Sequence, residues 1–166
     1  MANRDAEKQF EEHITAHRRL IEKVCHVYVF TEADRQDLFQ EIVIQAWNSW
    51  PRFRGDSSFS TYLYRIALNT AITGLRKRKR KAFIQTLEPD QLPNHPDDDS
   101  GVQAEENLRM LYQAIGQLNE VEKAIVLLYL EDKSYREMEV ILGMTEGALR
   151  VKMSRIKDKL RELTKQ

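Results

Sequence analysis

Six consecutive bases, Arg76-Lys77-Arg78-Lys79-Arg80-Lys81, give the chain a block that attracts a phosphate backbone and releases its counterions. They end a longer pattern. Tyr62, Arg65, Asn69, Thr73, Arg76 and Arg80 recur at three- and four-residue steps, which places them on one face of a helix. That face is cationic, amide-bearing and partly aromatic. Unpaired bases stack on aromatic side chains at about 1–3 kcal/mol each. The stripe therefore points to single-stranded or melted DNA, whereas a basic run alone is usually a solvated helix end.

A second candidate lies near the C-terminus. Residues 135–142, a turn at Gly143-Met144-Thr145, and residues 146–163 have the lengths and turn residue of a helix-turn-helix. Gly143 suits the left-handed conformation that ends a helix. Phased at about 100° per residue, Leu149, Met153, Ile156, Leu160 and Leu163 of the second helix share one side. Gly147, Val151 and Ser154 lie opposite, with Arg150 and Arg155 at the edges and Lys157 below Arg150. Small residues at the centre let a helix sit deep in a major groove about 12 Å wide. Flanking arginines then reach base edges or phosphates. Thr145 and Glu146 open this helix and belong to the same candidate surface.

A third face differs in kind. Asp37, Gln40, Glu41, Ile44 and Asn48 share the outer side of another helix, with no base among them. It repels DNA and suits a protein partner, although a plain solvated face has the same composition. His13 and His17, four residues apart, offer two imidazoles, but no third ligand is placed. The single cysteine, Cys25, excludes an internal disulfide and a cysteine-based zinc site. No phosphate-binding glycine loop and no nucleophile–base set occurs. No catalytic residue, metal or cofactor is therefore expected, and the chain does not read as an enzyme.

These faces need helices to carry them, and the periodicity supplies little else. The expected fold is all-α: two small helical domains joined by a flexible acidic linker, the second ending in the helix-turn-helix. Residues 1–82 form the first domain, net +5; residues 104–166 form the second. Residues 83–103 read as the linker, with Pro89, Pro93, Pro96 and Asp97-Asp98-Asp99. The first domain opens on a polar helix near 6–17. Leu20, Ile21, Val24, Val27 and Tyr28 then mark an apolar one. Thr31 and Asp34 cap a third, whose inner face takes Leu38, Phe39, Ile42, Val43, Ala46 and Trp47. Residues 57–61 start the basic helix, which runs to about Lys81. In the second domain Leu108, Leu111, Tyr112, Ile115 and Leu118 form one stripe; Asn119, Ser134 and Thr145 cap the helices that follow. No apolar run reaches the ~18–20 residues of a membrane span. The polar N-terminus has no secretory pattern, so no membrane insertion and a cytoplasmic location are expected.

Residues 37–41 (Asp-Leu-Phe-Gln-Glu), Ala46-Trp47 and the run from Pro51 to Ala67, Pro-Arg-Phe-Arg-Gly-Asp-Ser-Ser-Phe-Ser-Thr-Tyr-Leu-Tyr-Arg-Ile-Ala, closely resemble the second conserved region of extracytoplasmic-function sigma factors. Ser134-Tyr135-Arg136-Glu137, Ile141-Leu142-Gly143-Met144-Thr145-Glu146-Gly147 and Ser154-Arg155 resemble their fourth. The resemblance covers nearly the whole chain outside the linker, and the 53–67 segment is its specific part. It implies a factor that binds core RNA polymerase, recognises minus-thirty-five and minus-ten promoter elements and helps melt DNA. Asp37, Gln40 and Glu41 match the surface that docks on the β′ clamp helices. Ser57, Ser58, Phe59, Ser60 and Thr61 match the loop that captures a flipped minus-ten base. Tyr62, Arg65 and Asn69 match the helix that holds that element, and Arg76 and Arg80 continue it. Thr145, Glu146, Gly147, Arg150, Val151, Ser154, Arg155 and Lys157 match the minus-thirty-five reader, in a domain that also meets the β flap. An anti-sigma factor is an implied partner.

Some positions depart from that pattern, among them Val140, which stands where a polar residue is usual. Glu139 replaces a usual alanine in the angle between the two helices of the motif, so its carboxylate must swing outward or find a partner. Arg150-Val151-Lys152 replaces a more usual Lys-Ser-Arg, so the promoter sequence cannot be copied from relatives. A stand-alone helix-turn-helix regulator is the alternative; it leaves the 53–67 segment and the acidic face unexplained.

Overall fold

The computed structural model describes residues 2–85 and 104–165, and every described element is helical. The chain divides into two compact units at residues 86 and 87. Residues 86–103, most of the expected linker with its prolines and Asp97-Asp98-Asp99, lie outside the described residues.

Unit 1 begins with α1 (Ala2–Ala16), four residues earlier than the periodicity suggests, and α2 (Arg18–Tyr28). Six residues of α2 are buried: Leu20, Ile21, Val24, Cys25, Val27 and Tyr28. Thr31 starts α3 (Glu32–Ser49): its side chain accepts from the Asp34 N–H at 3.1 Å, satisfying one of the free donors at the helix start. Leu38, Ile42 and Ala46 are the buried seam of α3, while Phe39, Val43 and Trp47 stand at its half-buried edges. A 3-10 turn (Trp50–Arg52) follows, because Pro51 cannot donate the next helical hydrogen bond. Gly55 reverses the chain at φ +76°.

Ser58 then caps α4 (Phe59–Gln85), accepting from the Thr61 N–H at 3.2 Å. This helix packs on both α2 and α3. Phe59, Leu63, Ala67 and Ala71 recur every fourth residue and are buried, with Tyr64 and Leu68 beside them. The helix runs three residues into the stretch read as linker, since nothing before Pro89 breaks it.

Unit 2 contains α5 (Ala104–Gly116), α6 (Glu120–Leu130), α7 (Tyr135–Leu142) and α8 (Glu146–Thr164). α6 is buried almost all round, from Lys123 to Leu128. It packs with α5 and α7 around α8. The stripe expected on α5 divides. Ile115 and, just past the helix end, Leu118 are buried, with Ala114 beside them, whereas Leu108 and Tyr112 are 52% and 44% exposed. Only the C-terminal turns of this helix are covered.

Three caps fix the ends of the short helices. Asn119 Oδ1 accepts from the Glu122 N–H at 2.8 Å. Ser134 and Glu137 form a reciprocal capping box, at 3.1 and 2.8 Å. Thr145 accepts from the Ala148 N–H at 3.2 Å. Between the last two, Gly143 closes α7 at φ +71°, donating to the Glu139 carbonyl at 2.8 Å.

The two glycines of the helix-turn-helix should therefore respond in opposite directions. Neither has a neighbour where a Cβ would go. Gly143→Ala should cost about 1 kcal/mol, because only the backbone conformation opposes it. Gly147→Ala, in ordinary helical conformation, should gain up to about 1 kcal/mol. Urea unfolding of the two variants would check this; a destabilised Gly147→Ala would reveal packing that the fold does not contain.

Candidate nucleic-acid interface

The start of α4 is held by rings. Phe59 lies 4.6 Å from His13, stacked at 29°, and 5.0 Å from His17. It also meets Tyr62 at 5.5 Å, Phe53 at 5.9 Å and Trp50 at 6.0 Å. Phe10 of α1 closes the cluster against Trp47 and Trp50 at 5.0 and 5.6 Å. His17 Nδ1 bonds the His13 carbonyl at 2.8 Å, so that nitrogen carries the proton. The two histidines are thus part of the aromatic packing, and among the described residues no group of three His, Cys, Asp or Glu is placed to hold a metal.

Tyr62 joins this cluster to α3. Its hydroxyl donates to the Ala46 carbonyl at 3.0 Å and shares a short hydrogen bond with Ser49 Oγ. Burial raises the phenol above its ordinary pKa of 10, with the Ser49 contact and Arg52 pulling it back. The helix start and the end of α3 are therefore one rigid piece.

The residues expected at the minus-ten surface separate accordingly. Ser58, Arg65, Asn69 and Arg76 are exposed; Ser57, Ser60 and Tyr62 are half-buried. Phe59 and Thr61 are each only 7% exposed and face inward. Thr61 Oγ1 accepts from Ser58 Oγ at 3.0 Å. The side chain of Arg80 lies outside the described residues. On α3, Asp37, Gln40 and Glu41 are exposed, and so is Ile44 at 51%. Glu41 accepts from Gln45 at 2.9 Å along the same face.

Cys25 takes no part. It is buried, and desolvation raises its thiol from 9.0 to about 11. That cuts the thiolate fraction at pH 8 about a hundredfold and leaves it a poor nucleophile or ligand.

On α8 the outward residues Gly147, Arg150, Val151, Ser154 and Arg155 are all exposed, and Leu149, Met153 and Ile156 are buried. Two tyrosines that spacing along one helix does not reveal brace the cations. The Arg150 guanidinium lies 4.5 Å from the Tyr135 ring centroid and 4.0 Å from the Glu146 carboxylate. Lys157 lies 4.7 Å from the Tyr129 ring centroid and donates to its hydroxyl at 3.3 Å. Both contacts cross between helices, so only the tertiary fold exposes them. Glu139 is exposed. Its side chain is turned to solvent rather than buried unpaired, and its carbonyl still receives the Gly143 N–H.

Two family models match this chain. The sigma-70 region 2 model takes in residues 13–81 and the sigma-70 region 4 model residues 108–160, one in each unit and together well over half of the chain. The chain belongs to the sigma-70 family of sigma factors, and the curated proteins it is similar to are extracytoplasmic-function members. The ECF RNA polymerase sigma-E factor of Escherichia coli is 27% identical over 162 residues, covering 92% of this chain and 84% of that protein. The ECF RNA polymerase sigma factor SigG of Mycobacterium tuberculosis is 40% identical over 74 residues, 43% of this chain, and the match spans only 20% of that protein's length. Among solved structures, the sigma factor RpoE of Bartonella quintana, crystallised with the anti-sigma factor NepR, superposes with a TM-score of 0.77 at 21% identity, covering 95% of this chain and 98% of that one. CnrH in complex with the cytosolic domain of CnrY gives 0.65 at 20% identity, over 95% and 88%. These likenesses carry the fold. Among the described residues of this sigma factor, no helix is long and apolar enough to cross a membrane. Most of α1 precedes the matched region, so Phe10 adds a wall to the aromatic cluster from outside it.

Tyr62→Phe should separate the hydroxyl from the ring. Loss of two hydrogen bonds to the end of α3 should lower stability by about 1 kcal/mol per bond, read in urea unfolding. An unchanged midpoint would mean that the ring packing alone positions α4.

Proposed function

We propose that this chain binds core RNA polymerase, recognises upstream and minus-ten promoter elements, and helps open the minus-ten duplex. One observation carries the reading. The exposed face of α4 is Arg65, Asn69, Thr73 and Arg76, while the exposed face of α3 carries Asp37, Gln40 and Glu41. One unit thus offers a cationic face suited to DNA and an acidic face suited to a protein. A stand-alone regulator has no use for the second face, and the region 2 match has no place in it.

Asp37, Gln40 and Glu41, with Ile44 as an apolar contact, dock on the clamp helices of the polymerase, and unit 2 meets its flap. Ser57, Ser58 and Ser60 line the loop that receives an extruded base. Phe59 and Thr61, being buried, shape that loop from beneath. The outer edge of the Tyr62 ring, Arg65 and Asn69 hold the separated strand, and Arg76 and Arg80 follow its phosphates. In unit 2, Thr145, Glu146, Gly147, Arg150, Val151, Ser154 and Arg155 face the upstream element, with Lys157 at the edge. The complex of RpoE with the anti-sigma factor NepR supports regulation of this chain by a similar partner. The work it does takes place on chromosomal DNA in the cytoplasm, as a transcription factor rather than an enzyme.

Asp37→Ala with Glu41→Ala should weaken binding to core polymerase at least tenfold with unchanged thermal unfolding, since both side chains are exposed. Equal affinity of the double variant and the parent, in a fluorescence titration with core enzyme, would remove the acidic face from the interface.

Asn69→Ala and Arg65→Ala should slow promoter opening, read as permanganate reactivity of minus-ten thymines, more than they weaken closed-duplex binding. Losses of the same size in both assays would reduce the α4 stripe to a general phosphate contact.

A further inference from the structure

We propose that Val151 reads the C5-methyl group of a thymine in the upstream element, beside the base pair faced by Arg150. This rests on the reading of α8 as the upstream-element helix.

Apart from the small Gly147 and Ala148, the rest of the outward face of α8 is polar: Arg150, Lys152, Ser154, Arg155 and Asp158 are all exposed. Val151 is 52% exposed among them. At about 100° per residue it stands opposite Leu160 and close to opposite Leu149, Met153 and Ile156, which fill the core. It is therefore the side chain that a groove floor meets first. The fold gains nothing from it there. A β-branched residue is a poorer helix former than alanine, and no part of unit 2 covers it.

Its neighbours prepare the same contact. Gly147, one turn earlier on the same side, has open space where a Cβ would stand, so internal packing does not require glycine. Its bareness lets the helix backbone come close to an outside surface. Arg150 is steadied by the Tyr135 ring at 4.5 Å and by Glu146 at 4.0 Å. A guanidinium fork next to Val151 in the chain suits the two acceptors of a guanine.

The chemistry narrows the partner. On the major-groove edges of the four base pairs, the thymine methyl is the apolar group. Cytosine presents a bare C–H at that place and a donor beside it. The purines present acceptors, which an isopropyl group desolvates without return. A thymine is the base that a valine at this point favours.

The test uses the full chain assembled with core RNA polymerase and an upstream duplex selected from a randomised pool. Each thymine is replaced in turn by uracil, which keeps every hydrogen-bonding group and removes only the methyl. One position should weaken binding about fourfold, the value of one buried methyl-sized group, and the others should not. Val151→Ala should bind the thymine and uracil duplexes alike, with an unchanged fold because the residue is exposed. Three results would overturn the inference. If the parent prefers the selected duplex over scrambled DNA but is blind to uracil everywhere, Val151 faces a protein instead. If Val151→Ala keeps the thymine preference, another residue reads the methyl. If no duplex is preferred at all, the assignment of α8 as an upstream reader fails with it.

Discussion

Phe59 is both the first residue of α4 and the centre of an aromatic packing that gathers α1, the α1–α2 junction, the 3-10 turn and the loop before the helix. Its ring meets His13, His17, Trp50, Phe53 and Tyr62 within 4.6–6.0 Å. Aromatic pairs of this kind are worth about 0.5–1.5 kcal/mol beyond the area they bury. Their energies are not additive, but their geometry is shared, because a tilt of the Phe59 ring displaces the five around it. Tyr62 adds direction through its hydrogen bonds to Ala46 and Ser49. The rotation of α4 about its own axis is thereby fixed at its first turn.

That rotation decides what the rest of the helix presents. With Phe59, Leu63, Ala67 and Ala71 turned inward, Arg65, Asn69, Thr73 and Arg76 must face outward. Small residues at 67 and 71 let α4 lie close to α2 and α3 without bulk to push it away. Unit 2 solves its positioning problem differently. α7 has eight residues, below the ~12–15 at which a helix is marginal by itself. It is held by the Ser134–Glu137 box at one end, Gly143 at the other, and the buried Met138 and Ile141 between. The turn then delivers Thr145 as the cap of α8, and the outward face of α8 is set by Leu149, Met153 and Ile156 beneath it.

Periodicity and capping chemistry made much of this legible in the sequence. Five of the six buried residues of α2, the three caps of unit 2 and the buried Leu149, Met153 and Ile156 of α8 follow from spacing and from side-chain oxygens at helix starts, whereas Cys25 is buried outside the expected set and Leu160 and Leu163 are only half-buried. What escaped was of two kinds. Tertiary contacts have no signature along a helix: Tyr135 under Arg150 and Tyr129 under Lys157 join different elements, and the Tyr62 hydroxyl reaches back sixteen residues to Ala46. Coverage was the other. The stripe on α5 is apolar along its length, yet Leu108 and Tyr112 stay exposed, because periodicity shows that a face is apolar and not whether a partner meets it. Phe59 and Thr61 show the same limit at the site itself. Resemblance places them in a DNA-contacting segment, but a residue can serve that segment by packing beneath it.

The charge pattern explains why specificity must rest on so few residues. Charges of the chain cancel overall, but 1–82 carries +5 and the 83–106 stretch −7. Exposed ion pairs such as Arg18–Glu22 and Arg161–Asp158 add little stability, typically under about 1 kcal/mol. The surface charges are therefore available to partners. Phosphate contacts made by Arg65, Arg76 and their neighbours would be strong, long-ranged and blind to sequence, and salt would weaken them. Sequence discrimination has to come from short-range groups that cannot act through water. On α8 the groups we propose for that role are the Arg150 guanidinium, against Tyr135 and Glu146, and the bare side of the helix at Gly147 and Val151. Both depend on the turn at Gly143 and the cap at Thr145, which set how squarely that side meets a groove. Under the proposed function, affinity is spread over many cations, while discrimination of the upstream element rests on about one helical turn of α8.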